Sequence, residues 1–271
     1  TCSDMKPTTR LTVVAVLLFM ARGMTGPLSS LYWRSLGASY VAIGLLGAAT
    51  AVTAIVASAL WGRASDRLGR RGPFLLGGLA TLSLGFAAVS ASPSYRWLFP
   101  LYVVTALGQA AYDTASLALM GDWLEQGAAA EGSRVLGIGR RMGGYRGLAS
   151  LGFGLMALVS GTVADRLGLR APYGLAAGLY GVALLVAVGV PESPASRADD
   201  TTGPEPAASR GQAGMGNVPT TQRLPLLPLL IAALLWSLVT GAVYAVWGNY
   251  MVDGLGYTPS QMTRLWALAS L

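Results

Sequence analysis

Long apolar runs alternate with short charged breaks along the chain. The runs fall at roughly 11–33, 40–61, 74–93, 97–120, 142–163, 172–190 and 224–247, and another opens near 259. Each is long enough to cross about 30 Å of hydrocarbon. Only a helix satisfies its own backbone hydrogen bonds in lipid without pairing to a neighbouring segment, so the pattern predicts an all-α membrane protein. The sharpest break is Gly62-Arg63-Ala64-Ser65-Asp66-Arg67-Leu68-Gly69-Arg70-Arg71. Hydrocarbon would expel its arginines, so the runs on either side must return to one water-facing surface, joined there by a tight loop. The spaced glycines suit two helix ends that approach closely. Asp66 has cations to pair with, or the positive end of the following helix. A loop rich in arginine for topology alone would need neither the acid nor the glycines.

Composition agrees with the pattern. Apolar residues make up 53% and charged residues 11%, against about a quarter charged in soluble domains. The net charge of +7 would suit a nucleic-acid partner elsewhere. Here the basic residues sit in short loops and sort by side, which is a topology signal and excludes that partner. Lys6, Arg10, the 62–71 stretch, Arg134, Arg140 and Arg141 share one face, while Arg34, Arg96, Arg166 and Arg170 lie on the other. This places the amino terminus in the cytoplasm of a multi-pass plasma-membrane protein. With no histidine and a lone Cys2, neither a disulfide framework nor a Cys/His metal site can form. No cofactor is implied. The spans also lack the clustered carboxylates an embedded enzyme would need.

Residues 191–223 break the pattern with prolines, serines, Asp199, Asp200 and scattered arginines. They read as a flexible cytoplasmic linker. The division is therefore a six-span bundle over 1–190, the linker over 191–223, and the start of a second bundle over 224–271. An internal repeat refines it: Asp66-Arg67-Leu68-Gly69 recurs as Asp165-Arg166-Leu167-Gly168 with three spans between. An odd number of crossings puts the copies on opposite membrane faces, so spans 1–3 and 4–6 are inverted repeats. A fainter echo pairs Leu36-Gly37-Ala38-Ser39 with Leu255-Gly256-Tyr257-Thr258, suggesting that span 7 opens a second half like the first.

At these residues the chain resembles the major facilitator superfamily of secondary transporters. Gly62, Asp66, Arg67, Gly69, Arg70 and Arg71 match, in order, the family's signature between its second and third spans. The stretch Asp165-Arg166-Leu167-Gly168-Leu169-Arg170-Ala171-Pro172-Tyr173 is similar to its turn between spans five and six. The resemblance covers the whole chain but only about seven and a half of the usual twelve spans, which implies a fragment truncated at its carboxyl end. It also implies that charges around the signature, Asp66 among them, form a cytoplasmic latch. The family's proton-coupled drug exporters carry an arginine in span four and a Gly-Pro pair in span five. Both are missing here, which counts against drug–proton antiport.

Candidate chemistry lies where ionisable groups enter hydrocarbon. Arg22 lies about 18 Å and Asp113 about 14 Å from the same surface at 1.5 Å per residue, on the spans the repeat makes equivalent. Thr105, Gln109, Asp113 and Ser116 share one face of span 4. Arg22, Thr25, Ser29 and Tyr32 share one face of span 1. Such stripes line a cavity. Trp236, Thr240, Tyr244 and Trp247 offer an aromatic wall from span 7, and Arg146 at the inner end of span 5 offers an anion contact or a partner for Asp113. Gly139, Gly143, Gly144 and Gly147 read as a smooth packing face. Tyr32, Trp33, Tyr40, Tyr95, Trp97 and Trp123 read as interfacial anchors.

The expected activity is secondary transport of a small solute by alternating access, proton-coupled in either direction, by a protein that is monomeric when complete. An Arg22–Asp113 pair would be broken by protonation or by a charged substrate; a permanent structural pair is the other reading. The alternative function is a non-transporting membrane sensor or assembly protein of the same fold.

Overall fold

Gly26-Pro27 splits the first apolar run. In the computed structural model, which describes residues 6–130, 136–192, 231, 235 and 246–270, helix α1 spans Pro7–Thr25 and a short α2 follows at Ser29–Ser35. Pro27 has no N–H and its ring crowds the carbonyl one turn back, so a continuous helix cannot pass through it. The next runs form α3 (Tyr40–Leu68), α4 (Gly72–Ser90), α5 (Tyr95–Ala130), α6 (Leu136–Leu167) and α7 (Ala171–Val188). Residues 246–249 are helical, Tyr250–Gly254 is a π-helical turn, and α8 spans Pro259–Ser270. No strand occurs among the described residues.

Among the described residues α1, α3, α4, α6 and α7 are long and apolar enough to cross a membrane. The 36-residue α5 is longer still, about 54 Å, but Gln109 and Asp113 interrupt its apolar middle. It packs among the others against α3 and α4.

Four turns share one construction. Gly37, Gly69, Gly168 and Gly256 each follow a leucine and take φ of 89°, 61°, 84° and 70°. A side chain would strain that backbone, so glycine ends the helix and redirects the chain. The faint echo has a matching structure as well. Ser39 Oγ accepts from the Ala42 N–H at 3.2 Å to cap α3, and Thr258 Oγ1 accepts from the Gln261 N–H at 3.3 Å to cap α8. The 62–71 stretch is not the tight loop expected of it. Residues 62–68 complete α3, and only 69–71 lie outside a helix. With 29 residues, about 44 Å, α3 exceeds the hydrocarbon thickness, so its charged last turns stand in water without unwinding.

The helix contacts obey a twofold exchange. α1 packs against α6 and α7, α5 packs against α3 and α4, and α4 packs against α7. Swapping span 1 with 4, 2 with 5 and 3 with 6 converts the first set into the second and maps the α4–α7 contact onto itself. α4 also fixes where the repeated tetrapeptides lie. At its start the Gly72 N–H donates to the Glu192 carboxylate, beyond the end of α7; past its end the Ser92 carbonyl accepts from Arg170 Nη2 at 3.1 Å. Asp66-Arg67-Leu68-Gly69 and Asp165-Arg166-Leu167-Gly168 therefore sit at opposite ends of the bundle.

Burial separates central from peripheral helices. α1 buries Leu11, Val14, Ala15, Leu18 and Ala21, whereas α3 leaves Val52 and Ile55 61% and 72% exposed. A water-facing surface of that kind would be unstable, but hydrocarbon is as apolar as the side chains. The expected glycine face of α6 meets no neighbour among the described residues: nothing there lies within 4 Å of a Cβ placed on Gly139, Gly143, Gly144 or Gly147. The close approaches lie further along. Gly23 of α1 sits against the Phe153 backbone of α6, and a Cβ on Gly161 would lie 2.5 Å from the Pro259 carbonyl and the Ser260 Cα of α8. Tyr32 and Trp33 are not interfacial. They are 1% and 8% exposed, and Tyr32 donates to the Val89 carbonyl at 2.6 Å and stacks 4.3 Å from Tyr173. The break at Pro27 turns this short segment inward over the ends of α4 and α7.

Candidate functional site

Where α1 faces α5, Arg22 and Asp113 meet. Arg22 Nη2 donates to both carboxylate oxygens of Asp113 at 3.0 and 2.9 Å, and its Nε donates to Gln109 Oε1 at 3.1 Å. Gln109 and Asp113 stand four residues apart on one face of α5, so a single guanidinium reaches both. Phe19, three residues before Arg22, lies beneath it with the guanidinium carbon 5.0 Å from the ring centre. The pair is not sealed: the Arg22 and Asp113 side chains are 29% and 44% exposed. They open into a cavity of about 370 Å³ between α1, α5 and α6, lined also by Tyr145, Arg146 and Ser150. A charge pair that water can reach can change protonation or partner without moving a charge through hydrocarbon.

The other expected site residues are placed as follows. Arg146 is exposed and lines the same cavity. Thr25 is buried and donates to the Ala21 carbonyl at 3.2 Å, one turn back on its own helix. Thr105 and Ser116 are likewise buried and bonded to α5 carbonyls, of Tyr102 and Asp113. Trp236, Thr240 and Tyr244 lie outside the described residues. Trp247, at the edge of that segment, is 37% exposed. Among the described residues no cluster of His, Cys, Asp or Glu could hold a metal.

At the Glu192 end, charge is organised around the start of α4. Arg71 forms an ion pair with Asp122 of α5 through Nη1. The Glu192 carboxylate accepts the Arg71 and Gly72 N–H groups at 3.2 and 3.1 Å. Glu192 thus occupies the helix N-terminus that Asp66 could have taken. Asp66, Arg63, Arg67 and Arg70 are exposed. Gly62 has only an ordinary contact with the Thr114 methyl, whereas Gly69 is held at its left-handed turn.

At the Arg170 end the second tetrapeptide is engaged. Asp165 Oδ2 accepts the Ser260 N–H at 3.2 Å, at the first turn of α8. The turn of Arg170 against Ser92 and the seat of Gly161 under α8 complete that closure.

Residues 11–271 match the Major Facilitator Superfamily. The chain belongs to that family. It is therefore a multi-pass membrane protein of a transporter fold. Its structure is similar to those of the nucleoside transporter NupG (TM-score 0.68, 14% identity, 97% of this chain and 63% of that one) and of a bacterial homologue of the human lysosomal transporter Spinster in an inward-facing, unoccupied conformation (0.66, 16%, 97% and 59%). It is also similar to a bacterial homologue of the human drug peptide transporters PepT1 and PepT2 (0.56, 16%, 97% and 52%). At such identities the likeness concerns the fold. The chain spans between half and two-thirds of the length of these three structures. No curated protein matches it in sequence.

Sequence reasoning missed three members of these sites and one buried amide. Phe19 was within reach, since i−3 from an intramembrane arginine shares its face. Tyr145 adjoins Arg146 but carries no polar signal of its own. Glu192 sits just past span 6, inside the stretch assigned to the linker. Its signal was indirect, because α4 begins Arg71-Gly72-Pro73 with no local side-chain cap. Asn249, fully buried with neither amide atom bonded among the described residues, lies at the π turn, where no periodicity announces it.

Proposed function

We propose that this chain is the first bundle and the opening of the second of a secondary active transporter, moving a small solute by alternating access across the plasma membrane with its amino terminus cytoplasmic. On this reading 1–190 form the six-span bundle, 191–223 join the two bundles, and the complete protein works as a monomer. The observation that carries it is the Arg22–Asp113–Gln109 constellation at the floor of a water-accessible cavity inside an otherwise apolar bundle. Isolated charges at such depth are expensive and are retained where they act.

Asp113 is the coupling group. While ionised it holds Arg22; once protonated it releases one strong hydrogen-bonded charge partner, and Arg22 becomes available to a substrate. A proton and a substrate that both act on one pair are linked, so each changes the other's affinity by the same factor. On this reading the Glu192 end is cytoplasmic and the cavity lies on its side of the Arg22–Asp113 pair, since Phe19, Leu117 and Arg146 line it nearer that end of their helices. At the far end α8 packs on α6.

The test is solute uptake by the complete protein in sealed vesicles with an imposed proton gradient. Wild type should accumulate its solute against a concentration gradient. Asp113→Asn should lose gradient-driven accumulation by at least about 100-fold, yet keep exchange of the same solute at equal pH. Accumulation with unaltered pH dependence in Asp113→Asn would remove the coupling role. No movement of any solute by wild type would favour the sensor or assembly reading.

A further inference from the structure

The 370 Å³ cavity has unequal charge. Its lining holds two guanidiniums, Arg22 and Arg146, and one carboxylate, Asp113. Both Asp113 oxygens are taken by Arg22 Nη2, at 3.0 and 2.9 Å. Arg146 is exposed and has no counter-ion among the described residues. Among the described residues one positive charge is therefore left over in a space walled by apolar helices. Arg146 and Ser150 stand four residues apart on α6, on one face, and both line the cavity. A planar guanidinium beside a hydroxyl suits an oxyanion: the guanidinium donates two parallel hydrogen bonds and the hydroxyl a third. Phe19 and Leu117 supply apolar wall to the same space. Its volume falls at the lower end of small-ligand pockets.

Resting on the transporter reading above, we propose that the solute is a small organic monoanion, a carboxylate or its sulfonate or phosphodiester analogue, whose charged end is captured by Arg146 and Ser150 and whose apolar body lies toward Phe19. Arg22 is the reserve contact. While Asp113 is ionised, Arg22 is occupied and the cavity carries one net positive charge, which one monoanion neutralises. When Asp113 loses its charge, Arg22 turns to the same anion. The two arginines thus differ in role: Arg146 selects the charge class, and Arg22 reports the state of Asp113.

The prediction separates substrate class from transport. The complete protein in lipid nanodiscs is titrated with benzenesulfonate, benzenesulfonamide and benzyltrimethylammonium, three probes of one size that differ in charge, with tyrosine and tryptophan fluorescence as readout. Wild type should bind benzenesulfonate at least tenfold tighter than the other two. Arg146→Gln should lose at least tenfold for the sulfonate alone, and Arg146→Lys should recover part of it. Asp113→Asn should tighten sulfonate binding several-fold, an effect of a sign no structural defect produces. Equal binding of the three probes, an unchanged Arg146→Gln, or weaker binding in Asp113→Asn would overturn the proposal. Sulfonate binding as expected, with no movement of labelled benzenesulfonate across vesicles, would leave the anion site standing and sink the transporter reading instead.

Discussion

The turns at 65–71 and 164–170 match at five of seven positions and both place glycine in the left-handed region, yet they are in different company. The copy at the Arg170 end is engaged: Asp165 accepts the Ser260 N–H of α8, and Arg170 holds the Ser92 carbonyl. The copy at the Glu192 end leaves Asp66 exposed, and its neighbouring helix end is filled by Glu192. One local sequence therefore has two environments among the described residues, and what differs is whether the start of α8 is within reach. An aspartate at the last turn of a span is a docking acid for such a helix start. Among the described residues, the Arg170 end carries a helix start packed over it and the Glu192 end does not.

If the contact of α8 with α6 is what differs, breaking its seat should have the largest effect. A Cβ on Gly161 would lie 2.5 Å from the Pro259 carbonyl and the Ser260 Cα, which are backbone atoms that cannot rotate aside. Gly161→Leu should therefore force α8 off α6 at a cost of about 1–3 kcal/mol. A single cysteine at the fully buried Ser160, in a Cys2→Ser background, should then react with an impermeant maleimide from outside at least tenfold faster. An unchanged rate would mean that α6 and α8 do not form the gate.

Asp165→Asn is the milder break. The amide keeps an oxygen for the Ser260 N–H and loses only the charge that favours the positive end of α8. The same labelling should rise about two- to fivefold. Asp66→Asn should leave it unaltered, because Asp66 lies at the other end of the bundle from the α6–α8 contact. Equal responses from the two variants would dissolve the distinction between the turns.

How far the sequence foretold this differs by element. The spans were legible because hydropathy is written at every residue, and the inverted relation because a tetrapeptide with a Leu-Gly turn cannot drift without losing its backbone conformation. Arg22 and Asp113 were legible as a pair because depth along a helix converts to distance at a fixed rise. What was not legible depends on where a helix axis points. Thr25 and Thr105 fell on the expected polar stripes, but each satisfies its hydroxyl on its own helix and is buried, whereas Ser116, bonded to its own helix as well, does line the cavity. Tyr32 and Trp33 sat at a span end and were read as surface anchors, because the Pro27 break that folds them inward changes direction and not hydropathy. Four-residue spacing of Gly139, Gly143 and Gly147 could not say which side of α6 meets a neighbour.

The smallest expected effect concerns the reason the turn at the Glu192 end leaves Asp66 exposed. α4 starts with Gly72-Pro73, and its N-cap position, Arg71, makes no side-chain cap. Those first N–H groups would otherwise be open to any acid nearby, and Asp66 is only a turn and a half away in the chain. Glu192 takes two of them, at 3.2 and 3.1 Å, and Gly72 leaves the room for its carboxylate, since a Cβ there would lie 2.5 Å from Oε1. By satisfying α4 from across the bundle, Glu192 keeps Asp66 available for a partner from elsewhere. Glu192→Gln retains an acceptor oxygen and loses the charge, so stability should fall by about 0.5–1 kcal/mol. For the purified protein in detergent that is a drop of about 1–3 °C in the unfolding midpoint. If Asp66 is the acid that Glu192 displaces, adding Asp66→Asn to Glu192→Gln should lower the midpoint further, whereas Asp66→Asn alone should leave it in place. A double variant no less stable than Glu192→Gln would mean that the two acids never compete for α4.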